Sequence, residues 1–173
     1  MTTIRPETPA DHDAIVRVVA AAFESNGETI LVERIRASDR FIPRLSIVAE
    51  RDGEIVGHLM VSYTDLDDDG TIHRVPIMAP VAVHPDHQRQ GIGKYLVRAG
   101  LAGADAMGEP LVVLQGDPGY YGMLGFEPSA PHGIHQGLPD WAPQEAAQVC
   151  LLSAYDPSIR GNLILPEAFE GVE

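Results

Sequence analysis

The sequence predicts a mixed α+β fold, in which a central and mostly antiparallel sheet is flanked by helices. Two hairpin signals predict the antiparallel part, because Asp52-Gly53 and an acidic turn ending at Gly70 each separate two apolar runs. Two stretches, 15–23 and 91–107, carry apolar residues at helical spacing and predict flanking helices. The chain has 173 residues and 45% hydrophobic content, which suits one domain covering residues 1–173.

The N-terminal half is predicted to hold a short strand, two helices and three longer strands. The first strand covers Thr2–Ile4, and Asp11 is expected to cap the helix that follows. Gly27 is expected to end that helix, and a second helix should end near Arg36. The three longer strands are predicted at 45–50, 55–63 and 72–83.

The C-terminal half begins with the long helix 91–107. The apolar run Leu111–Leu114 then predicts a short strand that is buried on both faces. Asp117 is a candidate N-cap for a short helix that should end at Gly125. After a stretch rich in Pro and Gly, Gln148–Leu152 is predicted to be the last strand.

Composition and charge exclude several classes of protein. The net charge of −13 disfavours nucleic-acid binding, which depends on basic contacts to phosphates. The single cysteine, Cys150, excludes an intramolecular disulfide, and the histidines form no recognisable metal-ligand set, so no metal is expected. No apolar run is long enough to span a membrane, and the first residues lack the apolar core of a signal peptide. A cytoplasmic location is expected.

The segment Gln88–Lys94 joins a predicted strand to a helix through two glycines. The start of a helix presents unpaired N–H groups, so such a turn suits a phosphate or pyrophosphate. A P-loop would need a glycine where Gln88 stands and Ser or Thr where Tyr95 stands. A dinucleotide fingerprint starting at Gly91 would need a small residue in place of Leu96. Neither of these two patterns fits.

The remaining pattern, Gln/Arg-x-x-Gly-x-Gly/Ala, is met by Gln88, Gly91 and Gly93, and it resembles the pyrophosphate turn of the GNAT acetyltransferase superfamily. The preceding stretch, 81–88, is similar to the family's lead-in to this turn. Tyr120–Phe126 is similar to the family's aromatic-Tyr-x-x-Leu-Gly-Phe segment. The resemblance covers a core of residues 1–128. Residues 129–173 more loosely resemble a bacterial subgroup of uncharacterised predicted acetyltransferases.

The resemblance implies a GNAT-like sheet with splayed fourth and fifth strands, and acetyl-CoA bound between them as a co-substrate. The activity it implies is that of an acyltransferase, moving the acetyl group directly to a primary amine without a metal. Three basic residues would suit the charged end of coenzyme A: Arg89, Lys94 and Arg98. The residues implied for acetyl-CoA binding are Val81, Ala82, Val83, Gln88, Arg89, Gln90, Gly91, Ile92, Gly93 and Lys94.

In the family's usual assignment, the tyrosine that Tyr121 matches protonates the departing thiolate, and Tyr120 is the alternative. The general base stays open, because many relatives have a Glu where this chain has Ile77. The candidates for the base are His58, Glu54, His73 and Asp117.

The acceptor also stays open among small amines, antibiotics, peptide N-termini and lysine, as does the length of the acyl group. Members of the family commonly pair through late strands, so the resemblance also suggests a homodimer. The alternative to an enzyme is a non-catalytic acyl-CoA-binding or regulatory module with the same fold.

Overall fold

A computed structural model describes residues 1–172, which form one sheet with helices on both faces. The helices are α1 (His12–Phe23), α2 (Gly27–Arg36), α3 (Ile92–Ala106) and α4 (Pro118–Gly122). The strands are β1 (Thr2–Pro6), β2 (Phe41–Arg51), β3 (Glu54–Asp68), β4 (Thr71–Val83), β5 (Leu111–Gln115), β6 (Glu127–Pro128), β7 (Ile134–His135), β8 (Ala147–Leu151) and β9 (Gly161–Ile164). The α+β class is confirmed.

The strands follow the order β1-β2-β3-β4-β5-β8-β6, and β9 pairs with both β3 and β7. The neighbours are antiparallel except for β4–β5 and β7–β9, which are parallel. Strands β4 and β5 share a single register pair, Ile77 with Val113. Beyond this pair they are no longer hydrogen-bonded to each other, so a gap opens toward their C-terminal ends. This gap is the expected splay.

A bulge in β4 lies at the start of the gap. The pairing between β3 and β4 shifts from Leu59–Val81 to Val61–Met78, so β4 holds one extra residue. Past the bulge, Val81 and Val83 pack against the α3 side of the sheet, whereas Ala82 packs on the opposite side. The bulge therefore decides which side chains of β4 face the gap.

Three clusters of buried residues form the core. The first lies between the sheet and α3 and includes Leu59, Leu96 and Val97. The second lies on the opposite face, beneath α1 and α2. The third includes Val113 and Ile134, and it lies beneath chain segments that follow residue 133. The C-terminal part of the chain thus packs on the same sheet as the core.

Both predicted hairpin turns are present. Asp52 and Gly53 have φ values of 53° and 81°, the two consecutive positive angles that a two-residue type I′ turn requires. Asp69 and Gly70 repeat the pattern with 53° and 93°. The second turn is shorter than the sequence predicted because β3 continues to Asp68. The sequence indicated a loop from the density of aspartates, but strand pairing extends into them.

Two predictions about the N-terminal helices were wrong. The Asp11 carboxylate does not cap α1, because it accepts hydrogen bonds from the Thr8 N–H (2.7 Å) and the Arg5 guanidinium (2.8 Å). Gly27 does not end α1 but begins α2. Helix α1 ends at Phe23, and Glu24 takes the left-handed conformation there with φ 56°.

Two predictions about the C-terminal part were also wrong. Helix α4 ends at Gly122, and Gly125, with φ 98°, forms the turn that leads into β6. Strand β8 is not the last strand, since β9 follows it, and it lies between β5 and β6 instead of at an edge. Among the described residues, no helix is long and apolar enough to cross a membrane.

Candidate functional site

The turn between β4 and α3 has a backbone that favours close approach by a ligand. Arg89 and Gly91 have positive φ values of 63° and 82°, and Gly91 immediately precedes α3. No side chain caps the start of α3, and its first turn holds no acidic residue. The first N–H groups of α3 are therefore available to an anion, at the positive end of the helix dipole.

Side chains on both sides fix this turn. The Gln88 amide donates to the Val83 carbonyl (3.0 Å), which ties the turn to the end of β4. A Cβ atom at Gly93 would lie 2.7 Å from the Tyr120 hydroxyl, so a larger residue there would displace the Tyr120 side chain. The two glycines of the motif thus have different roles: Gly91 provides the backbone conformation and Gly93 provides space.

A cleft of about 480 Å³ opens beside the turn. It is lined by Tyr121, by Tyr120 and His87, and by eight of the ten residues expected to bind acetyl-CoA. The eight are Val81, Val83, Gln88, Arg89, Gly91, Ile92, Gly93 and Lys94. His87 was not expected, although it lies in the lead-in to the glycine turn.

The side chains of three expected residues lie outside the cleft. The Ala82 side chain is buried on the opposite face of the sheet, because neighbouring residues of a strand face opposite sides. The Gln90 side chain accepts a hydrogen bond from Arg51 on the surface. Arg98 is exposed on α3 and does not line the cleft. Spacing along the sequence could not separate these three from the residues that line the cleft.

Strand β4 offers backbone groups to the cleft. The His84 N–H donates to the Val56 carbonyl (2.9 Å), so the alternation of an antiparallel ladder turns the polar groups of Val81 and Val83 away from β3. The Val83 carbonyl accepts from Gln88, and Val81 has no strand partner on the side where β5 has diverged. An extended amide-containing ligand could pair with this free edge.

Tyr121 lines the cleft from the short helix α4. The Asp117 carboxylate caps this helix by accepting from the Gly119 N–H (3.0 Å), as predicted. The Tyr121 ring makes edge-to-face contacts with Tyr120 (4.9 Å between centroids) and Phe126 (5.8 Å). Burial, with smaller contributions from Tyr120 and Asp117, raises the pKa of Tyr121 to about 12. The phenol is therefore protonated at neutral pH, as an acid must be.

The four candidate bases differ in position. His58 is fully buried on the face opposite α3, where its Nε2 lies 3.0 Å from the Ser46 hydroxyl. Glu54 lies at the exposed β2–β3 turn, and His73 lies near the distal β3–β4 turn. Of the four candidates, only Asp117, the residue that caps α4, lies beside Tyr121.

A buried ionic cluster on the opposite face was not predicted. The Glu7 carboxylate accepts from the Arg36 guanidinium (2.9 and 3.1 Å) and from Ser46, and lies 3.3 Å from His58 Nε2. Burial opposes the charge of Glu7, but hydrogen bonds to these side chains outweigh it and lower its pKa to about 2. Burial also lowers the pKa of His58. The cluster joins the residue that follows β1 to α2, β2 and β3, and it lies away from the cleft.

Comparisons with known proteins match the chain to one family. A family model described as "Acetyltransferase (GNAT) domain" matches residues 3–129. The "Uncharacterized N-acetyltransferase YhbS" of Escherichia coli strain K12 is 32% identical over 167 residues, which cover 96% of this chain and 96% of that protein.

Two solved structures extend the comparison. The GNAT family N-acetyltransferase YhbS from Escherichia coli, in complex with CoA, has a TM-score of 0.88 and 30% identity, and the match covers 99% of this chain and 93% of that chain. A GNAT family acetyltransferase from Brucella melitensis, in complex with acetyl-CoA, has a TM-score of 0.79 and 31% identity, with 98% and 99% covered. These matches confirm the resemblance that the two motifs indicated.

Proposed function

The chain belongs to the GNAT family of acetyltransferases, and we propose that it moves the acetyl group of acetyl-CoA to a primary amine in the cleft beside the glycine turn. The family assignment makes it an acyltransferase with acetyl-CoA as co-substrate. The complexes of the two relatives with CoA and acetyl-CoA support the choice of donor. The cleft and the residues that act in it are the proposal.

The observation that carries the proposal is the juxtaposition of an anion site, a free strand edge and a protonated phenol. The uncapped start of α3, with Arg89 and Lys94 beside it, suits a pyrophosphate. The free edge at Val81 suits the amides of pantetheine, and Tyr121 lines the same cleft. Together these groups match the charged, amide and thioester parts of acetyl-CoA in order.

Acetyl-CoA supplies a thioester carbon that the amine attacks, forming a C–N bond while the C–S bond breaks. We assign Tyr121 to donate its hydroxyl proton toward the departing sulfur. The amine loses a proton in the same reaction, and Asp117 is proposed to accept it, directly or through water. That proton can then restore the Tyr121 hydroxyl. The products are an N-acetylated amine and free CoA thiol, with no net change in the protein.

Thiol release from acetyl-CoA with a panel of amines tests the activity. Release that depends on an amine is expected, together with an acetylated product detected by mass spectrometry. Tight binding of acetyl-CoA without release for any amine would favour the alternative, a non-catalytic acyl-CoA-binding module. The absence of a Glu at Ile77 is the feature that motivates this alternative.

Three broader proposals complete this assignment. We propose that the whole chain acts as one acetyltransferase domain, since β8 and β9 both follow residue 129 and belong to the central sheet. A homodimer also remains a proposal, but β8 gives it no support because β5 and β6 flank that strand. A monomeric mass at micromolar concentration would contradict it. Location in the cytoplasm stays a prediction from the sequence.

A further inference from the structure

A second cavity, of about 510 Å³, lies at the C-terminal end of β5. We call it the apolar basin and define it by Gln115–Pro118 and the loop 138–146. Prolines, alanines, a leucine and a tryptophan make up most of its walls. Its volume lies within the range of about 300–1,000 Å³ that is typical of small-molecule sites.

The apolar basin meets the acetyl-CoA cleft at Tyr121. Gly116 lines the basin, and a Cβ atom there would lie only 2.6 Å from Tyr121 Cε2. Asp117 and Pro118 line the basin and also begin the helix that carries Tyr121. The Tyr121 ring, which lines the cleft, therefore packs directly against a residue of the basin wall.

Part of the apolar basin lies on the face of the sheet opposite α3. Leu114 packs on the α3 side, so strand alternation turns the next residue, Gln115, to the opposite side. The Gln115 amide donates to the Gly137 carbonyl (3.1 Å) and thereby holds the loop against the strand end. A donor in the cleft and a molecule in the basin would then flank Tyr121, and direct transfer requires the amine to reach past the edge of this ring to within about 3–3.5 Å of the thioester carbon.

The walls indicate the chemistry of the occupant. The Trp141 side chain is 85% exposed and forms part of the basin wall, although burial of so large an apolar group is strongly favoured. The Gly116 N–H donates to the Ala146 carbonyl (3.0 Å), and the Ala146 N–H donates to the Pro143 carbonyl (3.0 Å), so the wall is preformed. An exposed tryptophan beside an apolar cavity suits an aromatic group, which can stack on its ring.

The charge of the lining residues narrows the chemical class of the occupant further. The basin is lined by one carboxylate, that of Asp117, and by no Lys, Arg or His. It therefore favours a cation over an anion, and the net charge of −13 acts in the same direction. We infer that the apolar basin is the acceptor site, and that the acceptor is a small primary amine joined by a short chain to an aromatic ring and carrying no carboxylate. This inference rests on the proposed function.

Binding in the apolar basin can be followed by the fluorescence of Trp141, because it is the only tryptophan in the chain. Its fluorescence is followed while 2-phenylethylamine is added to protein saturated with CoA. A saturable change is expected for this amine. No change is expected for 3-phenylpropanoate, which keeps the ring but is anionic, or for ethanolamine, which keeps the amine but lacks the ring.

Kinetics provide the second readout. Trp141→Ala is expected to lower kcat/KM for 2-phenylethylamine about tenfold, while Trp141→Phe keeps most of it. The KM for acetyl-CoA should not change, and the loss of kcat/KM with ethanolamine, which has no ring to contact Trp141, should be smaller than the loss with 2-phenylethylamine. Ile72→Ala is the matched control, because Ile72 is also exposed (54%) but lies at the distal β3–β4 turn.

Equal use of ethanolamine and 2-phenylethylamine would overturn the assignment of the basin while leaving the proposed function intact. The same holds if a peptide N-terminus or a polyamine is preferred and Trp141→Ala has no effect. Thiol release with no amine at all would overturn both the inference and the proposed function.

Discussion

Replacement of Tyr121 by Phe is the most direct test of the proposed acid. The hydroxyl makes no hydrogen bond within residues 1–172, and the ring keeps its contacts with Tyr120 and Phe126. The substitution should therefore change the free energy of unfolding by less than about 0.5 kcal/mol. Any large effect on turnover then reports on the hydroxyl and not on packing.

The raised pKa sets the size of the effect. A phenol with a pKa of about 12 lies well above a thiol, whose ordinary value is about 8.5, so complete proton transfer to a thiolate is unfavourable. The hydroxyl of Tyr121 then acts mainly by a hydrogen bond to the developing negative charge on sulfur. Positioned acids contribute on the order of 10²–10⁴-fold, and the lower end, about 10²-fold in kcat, is expected here.

The assay is thiol release under saturating acetyl-CoA, with acetyl-CoA binding measured separately by calorimetry. Tyr121→Phe should lose about 10²-fold in kcat with unchanged affinity for acetyl-CoA, and Tyr120→Phe is the matched control. Because the raised pKa keeps Tyr121 protonated, its ionisation should cause no fall in wild-type activity between pH 7 and pH 10. Full activity in Tyr121→Phe would falsify the assignment.

Three further predictions concern the turn, the helix cap and the buried cluster. Gly91→Val should abolish measurable binding of acetyl-CoA. The control is Gly108→Val, at the same φ of 82° near the other end of α3, which should lower the free energy of unfolding by a similar amount, about 1–2 kcal/mol, and leave acetyl-CoA binding intact. An equal loss of binding in both variants, measured by calorimetry, would contradict the placement of the pyrophosphate at the glycine turn. Asp117→Asn keeps a side chain that caps α4 but removes the carboxylate charge, so kcat/KM should fall at least about tenfold while the melting temperature stays unchanged. An unchanged kcat/KM would show that Asp117 is not the base. Glu7→Gln should destabilise the protein by up to about 3 kcal/mol at pH 7. The pKa of Glu7 is lowered from 4.5 to about 2 in the folded state, so the difference in unfolding free energy between wild type and variant should be complete above about pH 4.5 and disappear as the pH falls toward 2. Urea titrations at several pH values measure this difference, and a value that stays constant with pH would refute the prediction.

The sequence alone predicted the local features of the fold. The hairpins at Asp52-Gly53 and Asp69-Gly70 and the start of α3 at Gly91 follow from glycines and aspartates at positions that need positive φ. The long helix and the strands follow from the spacing of apolar residues. These features depend on neighbours within a few residues, so composition and spacing are enough to predict them.

The tertiary structure decided which of the predicted residues meet. Because of the bulge in β4, the Ala82 side chain faces away from the cleft. The Gln90 side chain lies on the surface, where it accepts a hydrogen bond from Arg51. The apolar basin joins the end of β5 to the loop 138–146, and the Glu7 cluster joins the residue after β1 to α2, β2 and β3. The spacing of residues within one segment carries no information about such contacts, because they depend on how strands pair and which face each side chain takes after the chain has folded.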